Sequence, residues 1–399
     1  MVPAPPGGYN VKVTAIRELI SPQTMSRLNR WRKARAVFLR PDTSQAERAV
    51  AEILGRSWIR AQIYGRARRI LLEKSAERLL AELEEGLGPF AAQLRVAPED
   101  PAQTKWDAMG NLTPLPEAGH QVQALWLVDV LQSGEFFVEF QPIFLLQDGD
   151  TFGFEGLLRA RQSDGALRLA AEIFPAARAL RIEPEFERIS WLHVLEAASR
   201  LPGDSILFLN VNPRLLVAGG PGLEALGQEA ERQKFPYTRL ALDLVEVERV
   251  ESLERLKPAL TVPRDLGVAI ALDDVTSGYE TLKYFQGLAP EWIKVDSAIT
   301  RGIASDPRRR AILGFLGDVA RESSFRLIAE GIESAADLDV CADVGVVAAQ
   351  GYFLARPSKD PAPPSAEFQK WVDSRRRESS VDDIGSLETP SGSPPEPDL

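Results

Sequence analysis

Seven oxygen-bearing side chains and one lysine punctuate otherwise apolar stretches in the C-terminal part of the chain. Five short runs close on Asn210, Asp243, Asp273-Asp274, Asp296 and Glu330, a sixth carries Glu155 in Phe154-Glu155-Gly156-Leu157-Leu158-Arg159, and Lys294 sits two residues before Asp296. A Gln350-Gly351-Tyr352 turn follows. Donors offering only hard oxygen suit Mg²⁺ or Mn²⁺, because small divalent cations prefer carboxylate, amide and water oxygens. Carboxylates crowded together repel unless something positive lies among them. Cations held by such a set can activate water and steady a phosphate, so the chemistry is metal-assisted phosphoryl hydrolysis. Taken singly, each residue has an ordinary reading: a strand-end acid facing water, Asp273-Asp274 as turn chemistry before Ser277-Gly278, Lys294 and Asp296 as a surface ion pair. Those readings leave the recurrence at successive strand ends unexplained.

The runs are short, rich in Leu, Ile, Val and Ala, and alternate with helical stretches. Strands of that kind are buried on both faces of a parallel sheet. In a closed α/β barrel their C-terminal ends meet at one mouth, which would gather the acids.

Residues from about Leu125 to Pro357 resemble the EAL-domain family of cyclic di-GMP phosphodiesterases. Its Glu-Ala-Leu signature is written here Glu155-Gly156-Leu157, followed by Leu158-Arg159. Phe140-Gln141-Pro142-Ile143, Asn210-Val211-Asn212-Pro213, Asp243-Leu244-Val245-Glu246, Asp273-Asp274, Lys294-Val295-Asp296, Ala329-Glu330-Gly331-Ile332-Glu333 and Gln350-Gly351-Tyr352 keep the family order. The resemblance implies a modified TIM (β/α)8 barrel that hydrolyses cyclic di-GMP to linear pGpG with a metal-activated water, using two ions, Mg²⁺ or Mn²⁺. Glu155, Asn210, Asp243, Asp273 and Glu330 stand at the family's metal-ligand positions, and Asp274 and Asp296 would serve the second ion. Glu330, Lys294 and Gln350 would carry catalysis, Lys294 by orienting water or offsetting transition-state charge. Gln141, Leu157 and Arg159 would contact the nucleotide, while Glu246 and Glu333 would brace the loops behind the ligands.

The chain departs from that pattern at several points. Gly156 replaces the signature alanine, Asp243 a longer glutamate, and Val245 a threonine. The stretch Asp273 to Thr281 loses an aromatic and a glycine and gains Glu280. These changes define the alternative reading, a degenerate domain that binds cyclic di-GMP or a protein partner without cleaving it. No Gly-Gly-(Asp/Glu)-Glu-Phe signature is present, so synthesis of the dinucleotide is not expected.

The 399 residues have room for a barrel of this size plus further segments. A single cysteine, Cys341, excludes an internal disulfide and a cysteine zinc cluster, and it reads as a core residue. His120 and His193 fall outside every motif and read as ordinary helix residues. No signal-peptide succession or membrane-length apolar run occurs, so a cytoplasmic protein is expected.

The net charge of −10 is uneven: residues 1–75 hold 15 basic and 5 acidic side chains. Residues 1–97 read as a basic, mostly helical region of unknown role. Met1 to Gly8 are loose, a capping box stands at Ser44-Gln45-Ala46-Glu47, and a second helix carries Ile70, Leu72, Leu79, Leu80, Leu83 and Leu87. Residues 98–118 read as a linker, 119–360 as the barrel domain, and 361–399 as a helix end followed by a disordered acidic tail beyond Arg377. The basic stretch Arg27 to Arg40, with Trp31 and Phe38, reads as a solvated face rather than a nucleic-acid site. A homodimer through the barrel domain or the N-terminal helices is expected.

Overall fold

Strand β1 (Ala36–Pro41) opens a topology that the N-terminal composition conceals. The computed structural model describes residues 16, 18–57, 59–73, 75–99, 104–217, 222–250, 252–275 and 279–385. Strands β2 (Ala61–Tyr64), β3 (Ala67–Leu71), β4 (Leu94–Glu99) and β5 (Thr113–Pro114) join β1 in one antiparallel sheet ordered β2-β3-β1-β4-β5. Helices Ser44–Arg56 and Ala76–Leu87 connect β1 to β2 and β3 to β4. This β-α-β-β-α-β order is the split βαβ arrangement of ferredoxin-like folds. Val37 and Leu39 point from β1 into a core shared with Val50, Leu54, Leu79, Leu80 and Leu83.

Helices Pro22–Leu28, Arg30–Lys33, Ser44–Arg56 and Ala76–Leu87 share this region with a sheet that the sequence reading did not anticipate. The strands are only two to six residues long, and arginines at 68, 69 and 95 blur the period-two alternation that would reveal them. Ile70 lies on β3 rather than on the second helix, which Ser75 caps. Thr43, not Ser44, caps the first helix by accepting from Ala46 N at 3.2 Å. Residues 98–118 are not a linker either: they hold the end of β4, a helix Lys105–Gly110, β5, and the start of a helix Leu115–Gln123. Trp31 and Phe38 are buried, which removes both from any surface that could stack on bases.

By contact density the chain forms two units, residues Met1–Phe137 with Leu158–His193, and Val138–Leu157 with Val194–Leu399. The second holds most of the barrel. Its strands are β6 (Phe136–Leu145), β7 (Thr151–Arg161), β9 (Ile206–Val211), β10 (Leu240–Leu244), β11 (Ala269–Val275), β12 (Trp292–Val295), β13 (Arg326–Ala329) and β14 (Ala348–Ala349), while β8 (Leu167–Leu169) extends β7 at its edge. β7 and the successive strands β9 through β14 pair in parallel, β8 pairs antiparallel with β7, β6 runs antiparallel against β14, and β6 also pairs with β7 to close the ring. The antiparallel strand is what modifies the (β/α)8 pattern.

Alternation along each strand layers the interior. Ile143, Phe208, Ala241, Ala271, Trp292, Ile328 and Ala348 make one apolar cluster. Two residues further along the parallel strands come Asn210, Asp243, Asp273, Lys294, Glu330 and Gln350. On antiparallel β6 the equivalent step runs backwards, from Ile143 to Gln141. A period of two thus puts an apolar plug beneath a polar mouth.

The C-terminal helix runs Ala366–Gly385, past Arg377 into the segment expected to be disordered. Phe368 packs against Phe144, and Trp371 Nε1 donates to Asp339 Oδ1 at 2.7 Å. Met1 to Gly8 and residues 386–399 lie outside the described residues. Cys341 is buried, and burial pushes its thiol up to about 12. No helix among the described residues is long and apolar enough to cross a membrane.

His120 is exposed, but His193 on helix Glu183–Ala197 is buried against Phe136 with Nε2 lacking a hydrogen-bond partner. Burial lowers its imidazole from 6.5 to about 4. The unfolded chain therefore binds a proton that the folded chain refuses, and stability falls as pH drops through that window. The shift predicts a loss of roughly 2 kcal/mol between pH 7.5 and 5. Urea unfolding at the two pH values should show His193→Leu losing less stability than wild type by that amount; an equal loss counts against it.

Candidate metal centre

Lys294 organises the mouth. Its Nζ lies 2.7 Å from Asp243 Oδ2, 2.7 Å from Glu330 Oε1, 3.0 Å from Asp273 Oδ1 and 3.1 Å from Glu155 Oε2. Lys294 and Asp243 have no solvent exposure. Asn210 Nδ2 donates to Glu155 Oε1 at 3.0 Å, and Gln350 Nε2 donates at 2.8 Å to both Glu155 Oε2 and Glu330 Oε1. Residues from β7, β9, β10, β11, β12 and the turns after β13 and β14 thus meet at one point.

One ammonium is shared among four carboxylates, and the electrostatics follow from that shortage. For Lys294, burial works against the charge, but Asp243, Asp273, Glu155 and Glu330 outweigh it and hold the ammonium well above its ordinary range. Burial also opposes the charge on Glu155, yet Lys294 and the amides of Asn210 and Gln350 keep that carboxyl below normal. Asp243, Asp273 and Glu330 are raised, first by burial and also by neighbouring acids. Asp274 is pushed up to about 7 by burial and by Asp273 and Asp296. The cluster lacks positive charge, which a divalent cation would supply.

The donor set fits such an ion. Oxygens of Asp273, Asp274 and Glu330 come within 4.8 Å of one another. Asp243 Oδ1 is buried without a hydrogen-bond partner among the described residues, an arrangement that costs free energy unless something binds it. Local backbone explains how two adjacent acids can serve one site. The β11–β12 register slips between Leu272 and Val275, and Asp274 takes a left-handed φ of 52°. That irregularity lets Asp273 and Asp274 both contribute, where plain alternation would turn one away.

Asp296 instead caps helix Ser297–Thr300, accepting from Ala298 N at 2.8 Å, and stands outside the cluster around Lys294. Thr300 Oγ1 donates to the Glu330 carbonyl, a support not visible in sequence. Gln141 and Leu157 are half-buried on β6 and β7. Arg159, two residues beyond Leu157, is buried and donates to the Leu158 carbonyl at 3.2 Å. Glu246 follows β10 in the left-handed region, and Glu333 pairs with Arg301 at 2.8 Å. Thr276, Ser277 and Gly278 of the altered loop lie outside the described residues.

Gly156 has a counterpart that sequence reasoning missed. A Cβ built there would meet Val194 Cγ1 at 2.4 Å, so the valine fills the space of the signature alanine's methyl. Valine is stiff at χ1 and cannot swing clear cheaply. Gly156→Ala should cost about 1–3 kcal/mol by overpacking beside Glu155, and Val194→Ala in the same chain should recover most of it. Thermal melts of the single and double variants check this; a harmless single substitution would show that the strand yields.

The family model of the EAL domain matches residues 124–357. Among curated proteins, PdeB of Shewanella oneidensis, a cyclic di-GMP phosphodiesterase, is 25% identical over 241 residues, 59% of this chain and 28% of the relative. PdeG of Escherichia coli, a probable cyclic di-GMP phosphodiesterase, is 28% identical over 235 residues, 57% of this chain and 45% of the relative. The chain therefore spans less than half the length of either. Two solved structures share the fold. The PaMucR phosphodiesterase in complex with c-di-GMP has TM-score 0.54 and 22% identity, covering 59% of this chain and 97% of that one. Bacillus subtilis YkuI, with an EAL domain, c-di-GMP and calcium, has TM-score 0.55 and 21% identity over 65% of each chain. With the family model spanning more than half of its length and the acids of that pattern gathered at one barrel mouth, the chain belongs to the EAL domain family.

Proposed function

We propose that this chain hydrolyses cyclic di-GMP to linear pGpG. The observation that carries the reading is the convergence of Glu155, Asp243, Asp273 and Glu330 on Lys294, with Asp243 Oδ1 left buried and unpartnered. The phosphodiesterase names of PdeB and PdeG support it. A purely binding domain would have no need of this acid cluster, whose buried carboxylates cost stability.

Glu155, Asn210, Asp243, Asp273, Asp274 and Glu330 would hold divalent cations, Mg²⁺ or Mn²⁺. A bound cation supplies Lewis-acid activation of water and offsets phosphate charge. The residues do the rest. Gln350 is tied through Nε2 to Glu155 and Glu330, and its buried Oε1, without a partner among the described residues, can accept a hydrogen bond from the attacking water. Lys294, anchored from four sides, presents positive charge where the pentacoordinate phosphate gathers negative charge. Water oxygen bonds to phosphorus as the bond to the 3′ oxygen breaks in line, and the departing oxygen takes a proton. Gln141 and Leu157, on strands flanking the mouth, would face the nucleotide.

The test is product analysis. Purified protein with cyclic di-GMP and Mn²⁺ or Mg²⁺ should yield pGpG by chromatography and none in a chelator. Binding of intact dinucleotide with no product under either metal would replace hydrolysis with a receptor role.

A further inference from the structure

The N-terminal unit contains a basic cavity that hydrolysis does not use. It encloses about 150 Å³ and is bordered by Arg27, Arg30 and Arg181, with Trp31 and Asn111 among its walls. Trp31 is fixed: its ring is buried and its Nε1 donates to Gln121 Oε1 at 3.3 Å.

The charges around this cavity do not balance. Arg181 pairs with Glu117, and Arg27 donates to the Arg181 carbonyl at 3.3 Å. Among the described residues neither Arg27 nor Arg30 forms an ion pair; the exposed Asp107 feels Arg30 only at longer range. Arg32, next to Trp31, is by contrast neutralised by Asp129. Of the three guanidinium groups bordering the cavity, Arg181 alone is ion-paired among the described residues.

Arg181 follows helix Ala170–Ala179 at φ 56°, with Arg181 N bonded to Arg178 O and Ile182 N to Ala177 O. That is the left-handed helix-ending position where glycine is the usual residue. A non-glycine residue there costs backbone free energy, as it does at Lys234, which ends its helix in the same way at φ 53°.

We infer that this cavity is a binding site for a phosphate group, held by the guanidinium forks of Arg27, Arg30 and Arg181 beside the fixed indole of Trp31. Planar guanidinium matches phosphate oxygens in pairs, which ammonium does not. The volume accommodates one phosphate with a few further atoms and is too small for a whole cyclic dinucleotide. The inference is independent of the hydrolytic reading.

Full-length protein in a chelator, which removes metal-bridged phosphate binding at the barrel mouth, is titrated with inorganic phosphate or GMP at constant ionic strength. Thermal melting and calorimetry report binding. Wild type should bind at least one of the two, with its melting point rising as ligand is added. Arg27→Gln with Arg30→Gln should weaken binding at least tenfold while melting normally without ligand, and Arg30→Gln alone should give a smaller loss. Arg181→Gly, which relieves the backbone strain, should also lose binding without melting far below wild type. GMP binding tighter than phosphate identifies a nucleotide as the source of the group, and equal affinity identifies phosphate alone. No binding of either by wild type, or equal binding by the double variant, overturns the assignment.

Discussion

Glu330→Gln should reduce pGpG formation by about a thousandfold or more, the scale seen when a group that stabilises transition-state charge is lost. The replacement is nearly isosteric, so packing is preserved. An amide in place of the carboxylate removes the negative charge now 2.7 Å from Lys294 Nζ, while its remaining oxygen can still accept the Gln350 bond at 2.8 Å. It also takes one oxygen from the set shared with Asp273 and Asp274. Glu155→Ala should be as severe, since Glu155 meets Lys294, Asn210 and Gln350 together. Initial rates with Mn²⁺, alongside unchanged circular dichroism, measure the effect. Activity above about a tenth of wild type in Glu330→Gln would mean that Glu330 is not part of the reacting centre.

Lys294→Met should act on the fold before it acts on the reaction. The methionine keeps length and loses charge, leaving buried Glu155, Asp243, Asp273 and Glu330 without their shared cation. Removing one partner of a buried ion pair costs about 3–5 kcal/mol, or roughly 10 °C in melting temperature for a domain of this size. The loss should appear in metal-free buffer and grow with pH. The remaining carboxyls are already raised by burial and by one another, so they hold protons in the folded state that the unfolded chain releases. Mn²⁺ should restore the variant by a larger increment than it adds to wild type, because the ion supplies the missing charge. A metal-free melt within about 2 °C of wild type would show that Lys294 is not the internal counter-ion.

Much of the barrel was legible because its signal is local and periodic. Phe208 and Asn210, Ala241 and Asp243, or Ile328 and Glu330 are two residues apart, so an apolar run ending in an acid already states which side chains share a face. The donor chemistry was visible for the same reason. What stayed hidden depends on residues far apart in the chain. Nothing near Gly156 announces that Val194 fills its space, and the reading of Lys294 as a water-orienting or charge-offsetting group did not show that it pairs with four carboxylates at once. Asp296 illustrates a competing demand, since one of its oxygens caps the following helix. The N-terminal sheet escaped notice because its strands are short and arginine-rich, whereas the leucine spacing of Ala76–Leu87 is plain.

Simultaneous titration of Mn²⁺ binding and of hydrolysis tests the central claim most directly. Mn²⁺ bound by the full chain is followed by loss of the free-ion electron paramagnetic resonance signal, and pGpG release is measured over the same concentrations. The acid cluster predicts that binding and rate rise together in wild type and that Asp273→Asn weakens both in parallel. A rate that does not depend on Mn²⁺, or Mn²⁺ binding unchanged by Asp273→Asn, would contradict the assignment of hydrolysis to this barrel mouth.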